Sequence, residues 1–206
     1  MPVLVIDGHP DPDSLTAALA RAYVAAHPDA DLLAVRDLDI DLVLHRGLRS
    51  DQPLEPDLVD AAARIAAADH LVVATPLWWE STPALLKGFL DRVLQSGWAY
   101  RYRGNLPQGL LAGRSARVLV TSDSPGWYLS LVRRNAGVRA LRRGTLSFIG
   151  MRPVRVTRFT GVRTTDAADR AAWLEKAGRL AVADARRTAS SRRTPTAPGP
   201  LRPRAR

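Results

Sequence analysis

The chain has 206 residues, room for one domain with a substantial core, and a formal net charge of +10. It has no cysteine, which excludes a disulfide scaffold, thiol catalysis and zinc–thiolate sites. Five arginines (Arg192, Arg193, Arg202, Arg204 and Arg206) fall in an acid-free stretch rich in Pro, Ser and Thr; without them the body carries +5. Residues 188–206 are therefore expected to be a disordered basic tail, and residues 1–187 a single domain. Lysine occurs only at 87 and 176, so the arginine excess reads as coding bias and not as a nucleic-acid footprint. No run approaches the ~20 apolar residues of a membrane span. The first six residues lack the basic leader and length of a secretory signal, so the cytoplasm is the expected location.

The elements alternate. Val3–Asp7 reads as a strand. Residues 14–27 read as a helix, with Leu15, Ala18, Leu19, Ala22 and Tyr23 at helical spacing. Residues 31–37 suggest a second strand, 39–56 an irregular stretch, and 55–68 an alanine-rich helix. The apolar run after His70 predicts a third strand to Thr75, followed by a helix from Pro83 to Leu94. A loop over 97–113 carries Trp98, Tyr100 and Tyr102. A strand over 116–121, a helix over 127–143, a strand over 153–160 and a helix over 166–187 complete the body. Such alternation implies an α/β three-layer sandwich: a five-stranded parallel sheet, order 2-1-3-4-5, with helices on both faces. In that order the ligand crevice lies beyond the ends of strands one, three and four.

Three loops meet there. The first, Gly8 to Thr16, runs into a helix N-terminus, where unpaired N–H groups and the hydroxyls of Ser14 and Thr16 suit an anion such as phosphate. It lacks both glycine-rich nucleotide fingerprints, and an ordinary N-cap at Asp13 or Ser14 explains it equally. The second, Pro76-Leu77-Trp78-Trp79, puts two adjacent indoles between strand and helix, which fits a planar ligand or plain packing. The third, Thr121-Ser122-Asp123-Ser124-Pro125-Gly126-Trp127-Tyr128, is polar, tight and ends in two aromatics. Together they outline a crevice with anion donors at one side and flat rings at the other.

These residues carry a resemblance. G-H-P-x-P-x-S-L at 8–15, P-L-W-W-E-S-T-P-A-L-L-K-G-F-L-D-R-V at 76–93 and T-S-D-S-P-G-W-Y at 121–128 are similar to the flavodoxin-like NAD(P)H:quinone oxidoreductases. That family includes DT-diaphorase and the ancillary flavoproteins of potassium efflux systems. The stretch from Arg142 to Thr157 is also similar, and the likeness spans roughly residues 2–187. It implies a flavin, FMN or FAD, reduced by NADPH or NADH in a two-electron ping-pong cycle and reoxidised by a quinone-like small molecule. Carried over by position, His9, Ser14, Leu15 and Thr16 would hold the phosphate end. Pro76, Leu77, Trp78 and Trp79 would lie along N5 and O4 of the ring, and Thr121, Ser122, Asp123 and Ser124 along N1 and O2. Tyr128 matches a catalytic tyrosine whose hydroxyl faces that edge, where donors stabilise charge developing on reduction. The resemblance assigns no metal. It further implies a homodimer with each active site at the subunit interface, to which Trp98, Tyr100 and Tyr102 are candidate contributors.

The chain departs from DT-diaphorase at three points. Asp123 and Ser124 stand in place of a glycine pair, no histidine follows Tyr128, and position 16 is Thr where relatives often have Asn. Glu80 has no assignable role. The alternative is a regulatory flavoprotein subunit that binds a transporter or other partner through the basic tail. A one-electron carrier is disfavoured by the basic body, and neither nucleic-acid binding nor membrane insertion is expected.

Overall fold

The computed structural model describes residues 2–47 and 52–190. In chain order the main elements are β1 (Val3–Asp7), α1 (Leu15–Ala25), β2 (Ala30–Ala34), α2 (Pro56–Ala67), β3 (His70–Pro76), α3 (Ala84–Val93), β4 (Tyr100–Arg103), β5 (Leu106–Gly109), β6 (Ser115–Ser122), α4 (Ala136–Arg139), β7 (Val154–Thr160) and α5 (Ala167–Ser190). Five strands form one parallel sheet in the order β2-β1-β3-β6-β7. This is the expected 2-1-3-4-5 arrangement once the small β4–β5 hairpin is set aside. The central strands β1, β3 and β6 are buried along their whole length. Their near-continuous apolar runs are what a sheet covered on both faces requires.

Alternate residues feed two cores, as strand pleating dictates. Leu4, Ile6, Leu71, Val73, Val118 and Val120 pack beneath α2 and α3 with Phe89 and Leu58. Val3, Val5, Val72, Ala74 and Leu119 pack against α1 and α5 with Tyr23 and Phe159. A fully buried Arg92 on α3 ties down the irregular stretch before α2, donating to Asp41 O, to Pro53 O at 2.8 Å and to Glu55 Oε2 at 2.8 Å.

Three segments differ from expectation. The aromatic loop over 97–113 contains the antiparallel hairpin β4–β5. Within it Trp98 is core and Tyr100 packs edge-on to Phe148 with ring centroids 5.1 Å apart, which leaves only Tyr102 well exposed. The single helix expected over 127–143 is broken. Its first part, Tyr128–Val132, is a π-helical turn, Arg134 and Asn135 take left-handed φ of 49° and 51°, and α4 then leads into a second π-helical stretch, Ala140–Leu146. Ser130 Oγ bonds back to Gly126 O at 2.8 Å, a competitor of the regular ladder that a 3.6-residue periodicity does not reveal. Finally, α5 continues to Ser190, three residues into the expected tail; residues 191–206 of that tail lie outside the described residues. Among the described residues no helix is long and apolar enough to cross a membrane, and no cluster of acids and histidines could hold a metal.

At the end of the sheet opposite the three loops, α5 sends Asp184 into a buried polar cluster. Arg117 of β6 grips its carboxylate with two donors, Nη2 reaching Oδ1 at 2.8 Å and Nε reaching Oδ2. Tyr23 OH donates at 3.1 Å, and His70 Nε2 lies at 3.5 Å while its Nδ1 pairs with Ser115 Oγ at 2.7 Å. Burial by itself pushes this carboxyl up; the Arg117 hydrogen bonds and then His70 outweigh it and hold the pKa well below the usual carboxylate range.

Candidate functional site

The strand order brings the first, second and third loops to one rim. Three hydrogen bonds knit them: Gly8 N–H to Ala74 O at 2.9 Å, Leu77 N–H to Thr121 O at 2.9 Å, and Thr16 Oγ1 to Thr121 Oγ1 at 2.7 Å. The last joins residues 105 apart in the chain and turns the two hydroxyls toward each other, one donating and the other accepting. A Cβ at Gly8 would sit 2.6 Å from Leu86 Cδ2, so only glycine lets α3 pack this close to the first loop.

At the mouth of α1, Ser14 is the N-cap: its Oγ accepts from Ala17 N–H at 3.1 Å and its carbonyl accepts from Ala18 N–H at 2.9 Å. The hydroxyl proton of Ser14 and the N–H groups of Leu15 and Thr16 are the donors that point past the helix end. Two acids beside the helix mouth have other partners. Asp7 pairs with Arg36 at 2.6 Å and accepts from His9 N–H at 3.1 Å, and Asp11 accepts from Asp13 N–H at 2.9 Å. His9 Nδ1 accepts from Asp11 N–H at 3.0 Å, its ring meets the Trp78 ring edge-on at 5.4 Å, and burial lowers its pKa, which favours the neutral imidazole.

The second loop is a tight turn. Trp78 and Ser81 exchange both backbone hydrogen bonds at 2.9 Å, with Trp79 (φ 51°) and Glu80 (φ 59°) at its tip. Positive φ at both central residues marks the hairpin turn that normally takes glycine or asparagine. Trp79 is 101 % exposed, so its indole plugs nothing and packs on nothing. Pro76 ends β3 and is buried, and Leu77 is half-buried beside it.

In the third loop Ser122 Oγ accepts from Ser124 N–H at 3.1 Å. Asp123 Oδ1 accepts from Arg163 N–H at 3.0 Å, so its carboxylate is drawn toward the turn after β7. Tyr128, 37 % exposed, opens the π-helical turn and meets Trp127 edge-on with centroids 5.8 Å apart. Of the four histidines, only His9 stands at this rim; His27 and His70 are buried at the far end of the sheet.

The residues expected to hold the cofactor, and Tyr128, thus lie on the three converging loops, whereas Trp98, Tyr100 and Tyr102 lie in and just before the β4–β5 hairpin. Sequence reasoning missed the partners that orient them: Arg36 behind Asp7, Arg163 behind Asp123, and Arg133, whose Nε donates to Glu80 Oε1 across the rim. None of these is signalled by local pattern, since each pairs with a residue at least 29 positions away. Chemically, the arrangement offers a helix end that can take a dianion, two walls with exposed flat rings, and backbone donors between them.

The sequence profile described as "Flavodoxin-like fold" matches residues 1–181. The chain is 34 % identical over 173 residues to FMN-dependent NADH:quinone oxidoreductase 1 of Cupriavidus pinatubonensis, covering 77 % of this chain and 80 % of that protein. Among solved structures it is similar to Smu.1420 of Streptococcus mutans (TM-score 0.79, 26 % identity, 88 % of this chain and 98 % of that one). It is also similar to an NAD(P)H:quinone oxidoreductase of Methanothermobacter marburgensis (TM-score 0.74, 25 % identity, 88 % and 95 % covered). With the sheet order, the three-loop rim and these likenesses in agreement, the chain belongs to the flavodoxin-like NAD(P)H:quinone oxidoreductase family.

Proposed function

We propose that the protein is an FMN-dependent oxidoreductase that takes a hydride from NADH and passes it to a quinone in a ping-pong cycle. The observation that carries this reading is the knitted rim. Three loops from β1, β3 and β6 are tied at Thr121, yet the donors of Ser14, Leu15 and Thr16 and the indole of Trp79 stay free for a ligand. The donor set suits a flavin phosphate: one helix end, one hydroxyl, and neighbouring carboxylates of Asp7 and Asp123 engaged elsewhere.

When bound, the flavin would supply reversible two-electron hydride chemistry. Ser14, Leu15 and Thr16 would hold its phosphate, and His9 would close the first loop over that end. Pro76, Leu77, Trp78 and Trp79 would flank the ring. The Leu77 N–H is already spent on Thr121 O, so the donors remaining on this loop are the N–H groups of Trp79 and Glu80 at the turn tip. Thr121, Ser122, Asp123 and Ser124 would border the opposite edge, the first three through the backbone because their side chains have partners within the protein. Tyr128 would direct its hydroxyl at the charge that grows on this edge and act as a proton source to it.

The rim also bears exposed apolar side chains besides Trp79: Trp127, Leu131 at 75 % and Val132 at 55 %. This supports pairing of two copies over the site, as the family resemblance implies. FAD and NADPH are the alternative cofactor and donor. The test is direct. The purified chain should be yellow, release FMN on denaturation, bleach with NADH under anaerobic conditions and recover with a benzoquinone. A colourless protein that takes up neither FMN nor FAD would overturn the reading.

A further inference from the structure

The tip of the tryptophan turn is in a conformation its residues disfavour. Trp79 and Glu80 both have left-handed φ, and neither is glycine or asparagine. A residue with a Cβ is disfavoured in this region and persists there only where the surroundings impose it. Two contacts outside the turn do so, and both come from the broken helix on the other wall. Arg133 Nε donates to Glu80 Oε1. Gly137 lies so close under the turn that a Cβ there would stand 2.0 Å from Glu80 O.

The opposing wall also carries left-handed backbone: Arg134 and Asn135 follow Arg133 with φ of 49° and 51°, disfavoured at Arg134 and tolerated at Asn135. Two pairs of left-handed, non-glycine residues therefore face each other across one ion pair. Beneath it is a shallow seam lined by Leu77, Glu80, Leu129, Arg133 and Asn135, with no room for even a water molecule inside. Within it the buried Oδ1 of Asn135 has no hydrogen-bond partner. The seam is therefore slack between the walls and not a substrate pocket. The hydrogen bond to Glu80 and its charge raise the pKa of Arg133 further, so the guanidinium keeps its charge.

We propose that Glu80 and Arg133 are positioning residues whose ion pair latches the strained Trp79 turn to the helix bearing Tyr128, setting the gap that admits a planar acceptor. This rests on the oxidoreductase reading above for the identity of what enters the gap. A half-exposed ion pair adds little to global stability. The latch needs little: it only has to bias a turn whose relaxed form competes locally.

The test uses the full chain as Glu80→Gln, Arg133→Gln, the exchanged double variant Glu80→Arg/Arg133→Glu, and Gly137→Ala, which wedges the walls apart without touching the charges. With FMN bound, both single variants and Gly137→Ala should raise KM for a benzoquinone about fivefold or more while kcat stays within twofold. The exchanged double variant should return KM to within about twofold. In flavin-free protein, amide exchange over residues 78–81 should quicken about fivefold or more in the single variants and recover in the exchanged one. Unchanged KM and unchanged exchange in the single variants would overturn the latch, as would an exchanged variant as impaired as either single. If the wild type binds no flavin, the redox reading fails, and the exchange measurement decides the latch by itself. Should one variant fail to fold, the other three still report.

Discussion

Replacing Asp184 with Asn probes the buried cluster at the far end of the sheet. The change keeps the shape of the side chain and removes its charge. Arg117 would then be a guanidinium with a side chain 4 % exposed and no carboxylate against it. Removing one partner of a buried ion pair costs ~3–5 kcal/mol, because the other charge stays buried. For a domain of this size that corresponds to a fall in Tm of roughly 10 °C. The penalty depends on pH with a definite sign. The Asp184 carboxyl has a depressed pKa in the fold, so its stabilising contribution is complete above the unfolded-state value of about 3.9 and fades as acid approaches the folded value. At pH 3 the gap between wild type and Asp184→Asn should therefore be about 1 kcal/mol smaller than at pH 7, because the unfolded chain's aspartate, with a pKa of about 3.9, takes up a proton and is stabilised over that range. Urea unfolding at both pH values, with the m-value checked for constancy, measures it. A variant within 1 kcal/mol of wild type at pH 7, or a gap that does not narrow in acid, would refute the assignment of Asp184 as the anchor of the cluster.

Two further predictions concern the rim. Trp79→Ala removes a fully exposed indole, so Tm should hold within about 1 °C while FMN affinity or acceptor KM worsens three- to tenfold, in line with the ~0.5–1.5 kcal/mol of an aromatic stacking contact; holoenzyme kinetics equal to wild type would remove Trp79 from the site. Tyr128→Phe should leave flavin content near normal and slow anaerobic reduction by NADH about tenfold, less than the ~100-fold of a buried donor because Tyr128 is 37 % exposed; equal stopped-flow rates would exclude its hydroxyl from the reaction.

The site combines two kinds of order. Its anion end is built from local chain: a Ser14 cap and a helix mouth need only the residues between Gly8 and Ala18. Its ring walls are built across the sheet, through Thr16–Thr121, Leu77–Thr121 and Glu80–Arg133. Shifts of either wall are thus coupled to the packing of the whole rim. This explains why a turn with unfavourable φ can be held at the point where a planar ligand would be gripped.

Much of this was legible before any coordinates. Apolar runs at 3–7, 70–75 and 116–121 announce buried strands, each matched to within a residue at either end by β1, β3 and β6, and the intervening helical spacing leaves a parallel sheet as the arrangement that buries them. The loop chemistry of Gly8–Thr16, the paired indoles and the polar turn after Val120 follow from residue type at strand ends. Tertiary structure alone decided which side chains became partners. Asp184 meets Tyr23 across 161 positions, Thr16 meets Thr121 across 105, and Glu80 meets Arg133 across 53. Such pairs are set by strand register and by how far each helix is rotated over the sheet, and neither leaves a period in the sequence. The π-helical turns were hidden too: they break the 3.6-residue period, and the Ser130 Oγ bond to Gly126 O that competes with the regular ladder leaves no mark in that period.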